Sequence, residues 1–237
     1  MKSLAVALCA VVLALSAAAV EGRADEPKFC QGCNFAGAQL SSSDFSNSVL
    51  VGTDFQNATL VNATFAGSRV IAGNFQNADL RGAHFDSVDC ISCNFQGARI
   101  DGATFANVKL TAANFAAFTF PIDNAELRQL LGGCLSCNFR AGLLSGQDLS
   151  GLPLIGVDFT AADLRRANFT GAILCWYGGN GATRKPICDD MHDAQTTGAK
   201  FVNVQLCENP LSRAGCTTVP MNTLRQYMGP KLGLTGP

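Results

Sequence analysis

From Phe35 a large apolar residue returns at every fifth position, eighteen times in succession, from Phe35, Leu40, Phe45 and Leu50 through to Phe115 and Phe120. Two residues before nearly every such centre stands a small one: Ala38, Ser43, Ser48, Thr53, Ala58, Ala63 and onward. A period of five matches neither the 3.6 of a helix nor the 2 of a strand. It suits a chain that turns a corner every five residues, with the centre and the small residue both facing inward. Repeats of this kind govern the whole fold, because each unit can bury its apolar side chains only against its neighbours.

The number of sides follows from a second period. Thr53-Asp54-Phe55-Gln56-Asn57 recurs as Gly73-Asn74-Phe75-Gln76-Asn77 and as Cys93-Asn94-Phe95-Gln96-Gly97, twenty residues apart each time. Phe takes every second centre from 35 to 115, so two opposite faces carry Phe columns, and Leu and its substitutes line the other two. Each coil should advance about 4.8 Å, the spacing of any strand ladder. Phe35, Phe55, Phe75, Phe95 and Phe115, then Phe139, Phe159 and Phe169, are the expected core centres. Burying each is worth up to about 3 kcal/mol.

Units such as Ala78-Asp79-Leu80-Arg81-Gly82, Ala162-Asp163-Leu164-Arg165-Arg166 and Ala167-Asn168-Phe169-Thr170-Gly171 resemble the A-(D/N)-L-x-x motif of the pentapeptide-repeat family. The resemblance covers about 30–120 and 137–174, with an echo at Ala199-Lys200-Phe201 and Val204-Gln205-Leu206. It implies an all-β chain, a right-handed, four-sided β-helix solenoid with twenty residues per coil. The function implied is far less specific, since function lives in sites rather than folds.

The organisation expected is an export signal over 1–24, a first solenoid block over 25–120, a short helical insertion over 121–133, a second block over 134–174, and a loop-rich cap over 175–237. The signal reading rests on Lys2, the apolar run Leu4–Ala19 and the small residues Ala17-Ala18-Ala19. At roughly 16 residues the run falls short of the about 20 a membrane span needs. Between Phe120 and Phe139 the spacing is 19, and Asn124–Leu131 has helical composition, with Asp123 before it and Gly132-Gly133 after. In the cap a second helix is expected from Thr223 to Met228.

Removing 1–24 leaves 15 basic and 17 acidic residues and ten cysteines, an even number suited to an oxidising compartment. Three CxxC motifs share one context: Cys30–Cys33, Cys90–Cys93 and Cys134–Cys137, each followed by Asn-Phe. The repeat puts both cysteines of each motif inward across one corner, near disulfide range. Asn34, Asn94 and Asn138 stand where haem attachment needs His. Zinc would need two pairs to converge, and the first two lie three coils apart, roughly 14 Å along the rod. Thiol–disulfide redox chemistry is retained as the alternative. Cys175, Cys188, Cys207 and Cys216 are candidate disulfide cysteines of the cap, with nearest-neighbour pairing giving sensible loops.

No nucleophile has a recognisable base, and no phosphate-cradling loop or metalloprotease helix occurs. His84 reads as a surface residue and His192 as part of an acidic loop. Three glycosylation triplets, at Asn57, Asn62 and Asn168, are ones the repeat generates freely. No catalytic residue, metal or cofactor is expected. The outward column Asn34, Asp54, Asn74, Asn94 and Asn114, flanked by Gln56, Gln76 and Gln96, is expected to bond between coils. Asn74, Gln56, Gln76 and Gln96 are the candidate face for an unknown protein or glycan partner. The expected function is thus an exported, non-enzymatic structural or interaction module, periplasmic or secreted, with the thylakoid lumen ranked behind. Some family members mimic DNA and inhibit topoisomerases. A formal charge of −1 offers neither the acidic rod for that role nor a basic footprint for nucleic acid.

Overall fold

A computed structural model of the chain describes residues 28–118 and 124–228. The segment read as an export signal, and the centre at Phe120 with Asp123, lie outside the described residues.

Corners arise from one backbone choice made every five residues. The residue two after each centre has positive φ: Gly37 at 68°, Asn47 at 53°, Asn57 at 57°, Gly67 at 68°, Asn77 at 56°. Gly adopts this region freely and Asn tolerates it. On three sides the amide three residues after the centre donates to the centre's carbonyl, as Ala58 does to Phe55 at 3.0 Å and Ala63 to Leu60 at 3.0 Å. That combination is the type II turn pattern, in which the third residue needs φ > 0.

Between corners the chain pairs with the coils above and below. Strands β1 (Phe29–Gln31), β2 (Val49–Val51), β3 (Arg69–Ile71), β4 (Asp89–Ile91), β5 (Lys109–Thr111) and β6 (Cys134–Leu135) form one parallel sheet in sequence order. Register advances by twenty, as Leu50↔Val70↔Cys90↔Leu110 shows. The other sides are ladders of single bridges, such as Asn34↔Asp54↔Asn74↔Asn94↔Asn114↔Asn138↔Asp158↔Asp190. The architecture is a right-handed, four-sided β-solenoid.

The interior is built from two facing Phe columns. In one, Phe55, Phe75, Phe95, Phe115 and Phe139 stack with centroids 5.0 Å apart. In the other, Phe45, Phe65 and Phe85 stack at 4.9 Å. The columns meet edge to face, Phe65 on Phe75 at 5.4 Å and 88°. Parallel offset stacking along the rod and T-shaped contact across it are both favoured ring geometries, worth about 0.5–1.5 kcal/mol beyond burial.

The two interruptions keep this register. Helix α1 (Asn124–Gly132) is made of strong helix formers and buries Leu127, Leu130 and Leu131. The phase is recovered because Phe139 stacks on Phe115, twenty-four residues earlier, so this coil has absorbed four extra residues. Gly133 is required here: a Cβ would collide with the Val108 carbonyl.

The solenoid also continues beyond residue 174, where the sequence reading placed the start of a loop-rich cap. Antiparallel strands β7 (Ile173–Gly178) and β8 (Lys185–Cys188) form a hairpin leaving the last face. The chain then re-enters and lays down another coil, bridged as Asp158↔Asp190, Asp163↔Gln195 and Asn168↔Lys200. Phe201 stacks on Phe169 at 4.9 Å. Strands β9 (Gln205–Cys207) and β10 (Thr217–Thr218) complete the sheet order β10-β9-β7-β8, and helix α2 (Met221–Met228) packs on β8. The echo at Ala199 and Val204 was legible, but polar Thr196 at a centre position, 3% exposed, hid the rest of the coil.

Candidate functional site

The corner leaving the β1–β6 sheet differs from the other three. The turn hydrogen bond that closes other corners is not formed between Thr53 and Leu50, Gly73 and Val70, Cys93 and Cys90, Ala113 and Leu110, or Cys137 and Cys134. All three CxxC motifs fall at this corner. Cys30–Cys33, Cys90–Cys93 and Cys134–Cys137 are paired at disulfide distance, with Cα–Cα separations of 5.9, 5.9 and 5.7 Å. At Cys90–Cys93 and Cys134–Cys137 a covalent staple stands where that backbone bond is not formed. The spacing of three is the span of one corner, which is why the motif fits the repeat.

Burial decides what these sulfurs can do. The six CxxC cysteines are 7% exposed or less, and Cys90, Cys93 and Cys137 are wholly inside. Nucleophilic attack on a disulfide needs access to a sulfur. In the cap, Cys175 faces Cys188 across the β7–β8 hairpin and Cys207 pairs with Cys216, both with Cα–Cα of 4.0 Å. No free cysteine occurs among the described residues.

The amide column has a direction. Asn74 Nδ2 donates to Asp54 Oδ1 at 3.0 Å, Asn94 to Asn74 at 3.3 Å, Asn114 to Asn94 at 2.9 Å, and Asn138 to Asn114 at 3.0 Å. The same Oδ1 atoms accept the amide two residues on, as Asn74 does from Gln76 at 3.2 Å. Asp54 begins the chain as an acceptor with no proton to give. Asp158 ends it, since a carboxylate cannot donate to Asn138. Beside the column, Gln56 Nε2 donates to Gln76 Oε1 at 3.2 Å. Asn74 is thus occupied within the ladder, while the Gln row lies outside it.

The charged units follow one local grammar. Arg81 binds Asp79 through Nε and Nη2 at 2.7 and 2.6 Å, and Arg165 binds Asp163 at 2.8 and 2.7 Å. These bonds, from a guanidinium two residues on, hold both carboxyls below the usual range. Paired this way, the Asp-Leu-Arg units present a locally neutral surface. His84 Nδ1 lies 3.1 Å from Thr104 Oγ1, and His192 is exposed beside Asp193. No group of three or more His, Cys, Asp or Glu side chains suited to a metal occurs among the described residues.

One buried polar group was missed in the sequence reading. Asp189, 1% exposed, occupies the inward position that Cys33, Thr53, Gly73, Cys93, Ala113, Cys137 and Val157 take in earlier coils. Its position in the five-residue phase of the last coil, two before Met191, was the available signal.

Taken together, these features define a class: a repeat solenoid with a Phe core, disulfide-stapled corners and outer ladders of satisfied polar groups. The chain belongs to the pentapeptide-repeat family. A pentapeptide repeat region matches residues 38–115, and pentapeptide repeats (8 copies) match 137–175. No curated protein sequence gives a match. Among solved structures, a pentapeptide repeat protein from the Arabidopsis thaliana thylakoid lumen is 25% identical over 50% of this chain and 87% of its own, with a TM-score of 0.26. QnrB1, a plasmid-mediated fluoroquinolone resistance protein, is 17% identical over 76% and 84%, TM-score 0.38. HetL, a heterocyst differentiation regulation protein from Nostoc, is 18% identical over 76% and 78%, TM-score 0.34.

Proposed function

We propose that the chain is an exported, non-enzymatic interaction scaffold, a stapled rod whose flat outer faces meet a protein or glycan partner in the periplasm or outside the cell. One observation carries this reading: the ten cysteines of the described residues form five pairs, six of these cysteines in core positions of the solenoid. Disulfides at this density belong to oxidising compartments, and residues 1–24 supply the export signal. No helix among the described residues is long and apolar enough to cross a membrane.

Burial of the CxxC sulfurs weighs against the thiol–disulfide redox alternative. The near-neutral balance of paired Asp and Arg weighs against a nucleic-acid mimic. The row Gln56, Gln76 and Gln96 is the proposed contact surface, because its amides lie outside the Asn ladder.

Intact mass of the exported protein, alkylated natively and again after denaturation without reductant, tests the reading. No adducts in either state and a mass lacking the first 19–24 residues is the expected result. Two adducts in the native state would move the redox reading to the front.

A further inference from the structure

The hairpin β7–β8 takes the chain out of the solenoid after Leu174 and returns it at Asp189, with twelve more residues than a regular corner uses. That detour removes a backbone acceptor. In regular coils the positive-φ corner amide donates to the coil above, Gly52 to Ile71 at 2.8 Å and Ser136 to Ile155 at 2.8 Å. Gly156 is the next corner, and its counterpart acceptor has been carried off in β7.

Asp189 fills the gap. Its own amide donates to Leu174 O at 2.9 Å, which closes the corner that other coils leave open. Its Oδ1 accepts from Val157 N at 3.0 Å, and the neighbouring Gly156 amide also favours the ionised carboxyl. The other oxygen, Oδ2, is buried with no hydrogen-bond partner. Desolvation pushes its proton affinity well above the ordinary carboxylate range against those two amides.

Among the described residues, no cation pairs with this group. On the coil beneath, Asp158 lies on the outer face near Arg140, 3.6 Å away. On its own coil, Asp190, His192 and Asp193 are exposed. In the hairpin, Lys185 is exposed, and Arg184 lies over the Tyr177 ring and binds Glu208 at 2.8 Å. A charge formed on Asp189 would be both buried and alone, a state costly enough that the structure gives way instead.

We propose that Asp189 is a proton-operated latch on the last coil: neutral, it holds the re-entering chain in the solenoid, and ionised, it releases that coil and uncovers Phe201 and Leu206. The sign follows from linkage. An acid whose affinity for its proton is higher closed than open favours opening as pH rises. The open population then grows about tenfold per pH unit between the open-state and closed-state values.

The test is urea unfolding of the oxidised full chain from about pH 5 to about pH 9, read by Trp176, the single tryptophan, which lies in β7. The wild type and Asp190→Asn should open more readily as pH rises, and Asp189→Asn should lose that dependence. A flat wild-type profile, or an unchanged slope in Asp189→Asn, overturns the proposal. Should Asp189→Asn fail to fold, infrared difference spectra of the wild type decide: a protonated carboxyl at neutral pH supports the latch, and an all-ionised spectrum overturns it.

Discussion

Phe75 and Phe95, twenty residues apart in the chain, stack with ring centroids 5.0 Å apart and planes 4° from parallel. Phe75 also touches Phe65 and Phe85 edge to face. Each ring is therefore held by coils above and below as well as by the opposite column. Phe75→Ala should cost about 3–5 kcal/mol, the usual range for an aromatic truncated in a packed core. Phe29→Ala, at a ring 64% exposed, should cost far less. Urea unfolding of the two variants checks the contrast, and equal costs would contradict the packing.

The stapled corner makes a different prediction. Each CxxC disulfide closes a loop of only four residues. Chain-entropy reasoning gives such a loop about 2 kcal/mol. Cys90→Ala with Cys93→Ala should lower stability by about that amount while leaving the circular dichroism of the rod intact. A variant that fails to form the solenoid would show that the staple is needed to build the corner and not only to hold it.

Gly97 sits at a corner with φ of +69°, and a Cβ there would run into Asn77 Oδ1 from the coil before. Gly97→Ala should be destabilising by about 1–2 kcal/mol, through backbone strain and the clash together. Asn77→Gly, which keeps the positive φ accessible, should recover the clash portion. A double-mutant cycle measures that coupling, and strictly additive costs would place the whole effect in the backbone.

Asn94 is donor to Asn74 and acceptor from Asn114. Asn94→Leu removes both links and leaves the Asn74 and Asn114 side chains each short of a partner, a loss of about 1–3 kcal/mol. Asn94→Asp keeps the shape and the acceptor, and at low pH its protonated carboxyl can still donate to Asn74 Oδ1, so it should sit between Leu and the wild type there. Its penalty should grow once the new carboxyl ionises against Asn74 Oδ1. Thermal unfolding at two pH values separates these outcomes.

Asp79 and Asp163 are held below the ordinary value of 3.8 chiefly by hydrogen bonds from Arg81 and Arg165. An acid depressed on folding contributes stability that is present above its unfolded value and lost as pH falls through the folded one. The wild type should therefore weaken below about pH 4. Replacing Arg81 and Arg165 with Gln should flatten that acid limb by lowering stability near neutral pH while leaving it nearly unchanged at low pH, a modest loss because the pairs are exposed. An unaltered acid limb would assign the loss to other carboxylates.

Much of this was readable in the chain. Phe35 to Phe115 fell on two alternating columns by arithmetic alone, and Cys90-x-x-Cys93 could be placed across a corner because the repeat fixes which way each residue faces. The Asn column announced itself by recurring every twenty residues. What stayed hidden involved residues whose role depends on what is absent beside them. Asp189 reads as one member of an acidic loop, and its burial follows only from where the β7–β8 hairpin leaves and returns.

By itself, then, the sequence determined the coil: five residues per side, four sides, Phe inward, amides outward, because these are set by local turns and by neighbours at a constant offset. Tertiary structure decided how the interruptions close. The four extra residues around α1 and the detour after Leu174 rest on contacts between segments with no fixed separation. A periodic signal carries no information about such contacts, so only the folded chain shows Asp189 standing in for a missing carbonyl.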